Sequence, residues 1–300
     1  ETALVLEAVG YSLAPTPLLA SAVVAADALL LSSNDEACER LLPAIAEGSS
    51  IGTVAWADRS GHWRTDGSDV TATPADSWVL DGTARLVLDG TSADVVLVVA
   101  TTSNGVGLFE VADENGLVRT TTPAVDPTLR LATLEFAATP ARLLRDDASA
   151  VLEVLRERAS VAVACLQVGA AQRALDMTVE YSKQRVQFGR AIGSFQALKH
   201  RMADMLVDVE TSRTVAWAAA WSVAATDDDL PARAALAKAW CSEALDRVAG
   251  ELVQLHGGIA ITWEHDAHLV FKRAHALGQL FGAAGEHRRR YGALVGVPGA

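Results

Sequence analysis

Cysteine is scarce in this sequence, and what there is cannot pair locally. Cys38, Cys165 and Cys241 lie far apart, and no C-x-x-C spacing occurs. That spacing argues against a disulfide scaffold or a zinc ribbon and favours reduced core thiols in a cytosolic protein. Positive charge is also in deficit. The formal net charge is -12 and the isoelectric point about 5.0. Nucleic acid as a general partner needs a basic face, and none is legible. Local basic spots could still hold the phosphates of a small ligand. No uncharged apolar run reaches the roughly 18 residues of a membrane span, because Arg, Asp and Glu interrupt the Ala/Val stretches. No signal or transit peptide is visible. The sequence opens at Glu1, without Met and already inside an apparent helix, so the expectation is that upstream residues are missing. His256, His265, His268, His275 and His287 show neither H-E-x-x-H nor a triad on one helical face, so no metal site is expected. The seven tryptophans are scattered and are expected at domain contacts. Lysine is rare beside arginine and alanine is abundant, a composition typical of GC-rich bacterial genomes.

What is present is apolar and periodic. Half of the residues are hydrophobic, enough for a sizeable core. Three textures follow one another. Residues 1–48 are Ala/Leu-rich at helical spacing and broken by Pro15 and Pro17. A second helix is predicted over Leu18–Leu31 and a third over Asn34–Ala46, capped by Asn34. Residues 49–143 read as a small antiparallel β domain. Short β-branched runs are predicted as strands at 51–54, 77–80, 84–88, 95–100, 106–111 and 131–136. Asp81-Gly82 and Asp89-Gly90 serve as hairpin dipeptides between them. Residues 144–300 return to the helical period. Helices are predicted from 146–148 to Gln184, from Phe195 to Ala225, from Leu230 to the Gly257-Gly258 stop, and from Trp263 to Leu280. The acidic run Asp227–Asp229 complements the dipole of the third. Four such helices on short loops make a four-helix bundle, and the fold class is α+β.

The stretch from Arg185 to Gln196, RVQFGRAIGSFQ, sits between two long helices. It offers guanidinium groups beside a helix N-terminus, a combination that suits phosphate or pyrophosphate. Taken alone it reads more readily as an ordinary helix–helix turn. It resembles, however, the R-x-x-F-G-x-x-I-x-x-F-Q segment of acyl-CoA dehydrogenases. Gln254-Leu255-His256-Gly257-Gly258 is similar to the Q-x-x-G-G segment of the same family. The helix pattern and the α–β–α order agree with that family too, with its first N-terminal helices outside this sequence. The resemblance implies an FAD flavoprotein that desaturates an acyl-CoA and hands electrons to an electron-transfer flavoprotein. It further implies that these two segments serve the FAD of a neighbouring subunit. Arg185 would then meet the pyrophosphate, Phe188 would pack by the adenosine half, and Gln196 would hydrogen-bond the cofactor. Gln254, Gly257 and Gly258 would line the same half, the glycines permitting close backbone approach.

The departures from the family pattern carry equal weight. Its Thr-Glu-Pro stretch in the β domain is matched by Ala55-Trp56-Ala57-Asp58-Arg59-Ser60-Gly61. Its Lys-x-Trp-Ile-Thr-like strand is matched by Ala84-Arg85-Leu86-Val87-Leu88, and leucine cannot donate a hydrogen bond to a flavin ring. The family's usual base position holds Phe281, followed by Gly282. The alternative position, on the first long bundle helix, holds Ala159. Glu157, about 200 degrees round that helix from Ala159, is expected to face elsewhere. Neither Phe nor Ala accepts a proton. The resemblance therefore implies the non-catalytic subunit of an α2β2 acyl-CoA dehydrogenase, partnered by a homologous catalytic chain. Two other readings stay open. One is a complete homomeric dehydrogenase with an unusual base such as Glu264 or Glu286. The other is a non-enzymatic acyl-CoA- or protein-binding module.

Overall fold

A computed structural model describes residues 1–75 and 77–297. Helix punctuation in the sequence becomes helix ends. Helix α1 covers Thr2–Ser12, and a π-helical stretch Leu19–Ala25 runs on into α2, Ala26–Ser32. Helix α3, Asp35–Glu47, is capped by Asn34, whose side chain accepts from Ala37 N at 3.0 Å. After the strands come α4 (Ser149–Gln184), α5 (Gln196–Ala225), α6 (Leu230–His256), α7 (Ala267–Gln279) and α8 (Ala284–Leu294). Pro231 occupies the first turn of α6, and Gly257 at φ +66 ends it. The helix expected from Trp263 starts only at Ala267. Residues Gly257–Ile261 form a 3-10 turn instead, and Ala267 N bonds to His265 Nδ1 at 3.2 Å.

Packing gathers the chain into two compact units. The first comprises residues 15–124 and 129–159, and the second residues 1–14, 125–128 and those from Ser160 onward. Among the described residues the first unit holds seven strands: β1 Gly52–Ala55, β2 Val70–Pro74, β3 Trp78–Leu88, β4 Val95–Thr102, β5 Gly105–Val111, β6 Leu117–Thr122 and β7 Leu131–Arg145. Strands β4, β2, β3, β7 and β5 pair in that order, and β5 pairs back to β4, so the sheet closes on itself. Its interior holds Val70, Leu80, Val98, Phe109, Leu134 and Phe136.

Three sequence expectations change here. The runs 77–80 and 84–88 are one strand, β3, not two arms of a hairpin. Asp81-Gly82 is a bulge in it. Gly82 has φ +130, and a Cβ there would lie 2.2 Å from Asp69 O. Asp81 instead accepts from Ala138 N at 2.8 Å across the β3–β7 pair. Asp89-Gly90 is a turn, but the strands on either side of it do not pair with each other. The sheet is also not wholly antiparallel, since β1 and β2 both run parallel to β4. Strands β2 and β6 are hard to read from sequence because threonine and proline in the one, and arginine and threonine in the other, dilute their apolar alternation.

In the helical unit, residues 160–171 of α4 are buried on every face, the mark of a central helix. α1 crosses it at backbone contact. A Cβ on Gly10 would fall 2.0 Å from Leu166 O, and one on Gly169 would fall 1.9 Å from Glu7 O. Arg213 on α5 joins this crossing, donating to Glu7 at 3.0 Å and to Gln172 at 2.9 Å.

The most buried ion pair of this unit is Arg273 with Asp126, at 2.6 Å and with side chains 1% and 0% exposed. Arg273 also donates to Thr128 Oγ1 and, at 3.4 Å, to Leu13 O. One guanidinium thus ties α7 to segment 125–128 and to the end of α1. Removing one partner of such a pair strands a buried charge, at a cost of about 3–5 kcal/mol. Arg273→Ala is expected to lose that much in urea unfolding, while Arg273→Met with Asp126→Leu recovers most of it. A single-mutant loss under about 1 kcal/mol would show that the pair is not structural.

Candidate functional site

The α4–α5 junction is a miniature hairpin. Val186–Gln187 pairs antiparallel with Arg190–Ala191, and Phe188 and Gly189 make the turn at φ +52 and +75. Two consecutive positive φ values define the turn whose twist matches a two-residue hairpin, and glycine is the usual occupant. Here a phenylalanine takes the first position, 92% exposed. Its ring meets Phe195 edge-on at 6.2 Å, and Arg190 lies over the Phe195 ring at 4.0 Å. Gly193 lets the 3-10 turn after the return strand pass α4, since a Cβ there would lie 2.8 Å from Ser182 Oγ.

Arg185 continues the last turn of α4, its N–H bonding Tyr181 O at 2.9 Å. Its side chain is exposed, and among the described residues it has no ion-pair partner. Gln196 opens α5, whose first turn carries no acidic residue and no side-chain cap. That leaves an uncompensated positive helix end beside a free guanidinium.

The other predicted segment ends α6 at the same end of the bundle. Tyr181, one turn before Arg185, stacks on His256 at 4.3 Å, and His265 closes on His256 at 4.7 Å. Gln254, Gly257 and Gly258 are exposed, and a Cβ on either glycine would meet nothing within 4 Å. The structure therefore brings Arg185 and Gly257 together through Tyr181 and His256. The sequence reading had assigned Tyr181 no part, and its aromatic ring one helical turn before Arg185 was the available signal. His256 bonds Leu252 O through Nδ1 at 2.8 Å. Burial, reinforced by His265, pushes its pKa below the usual histidine value. Among the described residues no group of three or more His, Cys, Asp or Glu side chains could hold a metal ion.

Apolar surface continues beyond this end. Ile261 is 77% and Trp263 80% exposed, and Lys272 lies over the Trp263 ring at 4.3 Å. Trp217, Trp221 and Trp240 are exposed as well. The expectation that tryptophans pack at domain contacts therefore fails for four of the seven. Trp56 and Trp63 are the buried ones.

The places matched to flavin-ring contacts and to the base look different. Ala55, Trp56 and Ala57 are buried, and the Trp56 indole N–H is already used by Arg64 O at 2.6 Å. Leu86, at φ +51, leans on the turn after Ala57, where a Cβ on Gly61 would lie 3.2 Å from its Cδ1. Ala159 is 1% exposed, and Glu157 is itself buried. Phe281 is 4% exposed and left-handed, at φ +57. Glu264 is exposed and lines an open groove of about 800 Å³ with Arg173, Asp176, Tyr181 and Lys183. Glu286 sits in the first turn of α8. Lys238, buried beneath Phe281, was missed altogether, although a lone lysine in an Ala-rich helix was a visible signal.

This helical bundle, with its basic junction and glycine-ended helix, defines a known class. The family described as "Acyl-CoA dehydrogenase, C-terminal domain" matches residues 149–293. The acyl-CoA dehydrogenase IpdE2 of Mycolicibacterium smegmatis is 40% identical over 98% of this chain and 78% of its own length. IpdE2 of Mycobacterium tuberculosis is 39% identical, over 97% and 76%. The chain belongs to the acyl-CoA dehydrogenase family. Two solved structures are similar across nearly its whole length. A structure described as the Tcur3481-Tcur3483 steroid ACAD G363A variant has a TM-score of 0.88, with 33% identity over 98% of this chain and 80% of its own. The ChsE4-ChsE5 complex from Mycobacterium tuberculosis has a TM-score of 0.88, with 32% identity over 100% and 81%.

The lowered His256 pKa sets an acid dependence. The unfolded chain binds this proton more readily than the folded one, so stability is full above about pH 6.5 and declines as pH falls through the folded value. His256→Gln is expected to flatten the melting-temperature profile below about pH 6.5 relative to wild type. Parallel profiles would assign the acid loss elsewhere, His268 being a second histidine shifted this way.

Proposed function

We propose that this chain is the non-catalytic subunit of a heteromeric, FAD-dependent acyl-CoA dehydrogenase. In this reading it lends the adenosine–pyrophosphate half of a flavin site to a homologous catalytic partner. The observation that carries the reading is the buried Phe281 at the position matched to the family base, a side chain that accepts no proton. The exposed residues fit the cofactor's other half. The unpaired Arg185 guanidinium suits a pyrophosphate, and the uncapped end of α5 adds backbone N–H groups to it. Gly257 and Gly258 leave room for a close approach, and Gln196 and Gln254 offer amides at its rim. Phe188 supplies an apolar face.

FAD, when bound, accepts the hydride as the acyl-CoA is desaturated at the α,β bond. The residues of this chain bind and orient it, while the proton acceptor comes from the partner. Two features disfavour a complete homomeric site built on Glu264: that residue is exposed on an open groove, and hydrocarbon replaces the flavin-ring contacts. A bulky acyl group such as a steroid side chain is the proposed substrate class, by analogy with the steroid enzyme among the similar structures.

Purified alone, the chain is expected to hold little FAD and to form no enoyl-CoA. Stoichiometric flavin with turnover would overturn the proposal. In the reconstituted complex, Arg185→Ala removes a charge-assisted contact of about 1.5–3 kcal/mol, so FAD retention should weaken roughly tenfold to a hundredfold. Unchanged flavin content would remove Arg185 from the site.

A further inference from the structure

Lys238 is fully buried in the helical unit. Its Nζ lies 3.1 Å from Ser242 Oγ, 3.1 Å from Gly278 O and 3.0 Å from Gly282 O. An ammonium has three donors and no acceptor, so each N–H finds one oxygen. Ser242 is itself fixed, donating to Lys238 O at 2.6 Å and accepting from Gln167 Nε2 at 3.0 Å.

The two carbonyls give the arrangement its purpose. Gly278 lies in the last turn of α7, where carbonyls lose their helical donors. The donor four residues on, Gly282 N–H, bonds Gln279 O at 3.2 Å instead. Lys238 supplies the donor that α7 lacks and places a cation at the negative end of its dipole. It holds the carbonyl of Gly282, at φ +109, in the same grip. Between them Phe281 sits in a left-handed conformation that a bulky residue keeps only where the surroundings enforce it. His287 Nε2, 2.9 Å from Phe281 O, is the second restraint.

The groups around the ammonium are few. Cys241 shares its helix, and Cys165 of α4 faces Cys241. Burial holds both thiols un-ionised, Cys165 being pushed up to about 12. α8 presents Glu286 and His287, α5 reaches Cys241 only through the Ser212 carbonyl, and α7 offers main-chain oxygen. Burial pushes the Lys238 pKa down to about 7, against the opposing pull of Cys241 and Glu286.

We propose that Lys238 is a proton-dependent clamp that positions residue 281. As an ammonium it holds the Gly278 and Gly282 carbonyls together with Ser242. On losing its proton to solvent it keeps two donors for three oxygens, so one acceptor is released and the 279–282 turn loosens. The clamp belongs to this chain's own turn and holds whichever subunit supplies the base.

The chain has four lysines, Lys183, Lys199, Lys238 and Lys272, so ¹³Cε-lysine labelling of the full chain gives four signals. One is expected to titrate near neutrality and three near 10.4. Over the same range, amide exchange at residues 281–283, corrected for its intrinsic pH dependence, should quicken at least roughly tenfold between about pH 6 and 8.5. In Lys238→Met that exchange should be fast at both pH values. Four signals titrating together near 10, or flat wild-type exchange, would overturn the proposal, as would Lys238→Met exchange that follows the wild-type pH profile. Where that variant fails to fold, the wild-type lysine titration and amide exchange decide between the outcomes.

Discussion

The helical unit depends on a buried arginine. Arg273 and Asp126 have left water completely, and that desolvation is tolerable only because Thr128 and the Leu13 carbonyl complete the arginine's hydrogen bonds. The pieces so joined lie far apart in sequence: the end of α1, a four-residue excursion of the chain between strands, and α7. Hydrophobic burial is non-directional and would accept many registers among these Ala- and Leu-rich helices. A charge that must meet one particular carboxylate accepts one. The Gly10–Gly169 crossing selects in the complementary way, by excluding every side chain at the point of contact.

Much of the architecture was legible because helix ends obey local chemistry. Asn34, Pro231 and Gly257 each mark a boundary that the structure keeps within a residue. Strands were less legible. Their pairing is non-local, and a dipeptide such as Asp81-Gly82 serves a bulge as well as a turn. The candidate site was legible where a motif is contiguous, as from Arg185 to Gln196, and also at the Phe281 substitution. Tyr181, Lys238 and Arg273 were not, because their partners are main-chain carbonyls or residues remote in sequence, and such contacts leave no spacing pattern to read.

The chain's polarity of design follows from where its groups lie. Groups able to grip phosphate are solvent-facing, while the position where chemistry would occur is closed with hydrocarbon and a strained backbone. A protein that had merely decayed would have no reason to keep Phe281 left-handed, with Lys238 and His287 still holding the carbonyls around it.

The uncovered aromatic rings at one end of the bundle bear on how much of this chain a cell can keep dispersed. Phe188, Trp263 and Ile261 present apolar surface to water, and exposed surface of that kind adheres to whatever is nearest. Production in excess of whatever covers those rings would favour clumping and clearance. In the heteromeric assembly proposed above, matched synthesis of the two chains would be the natural safeguard.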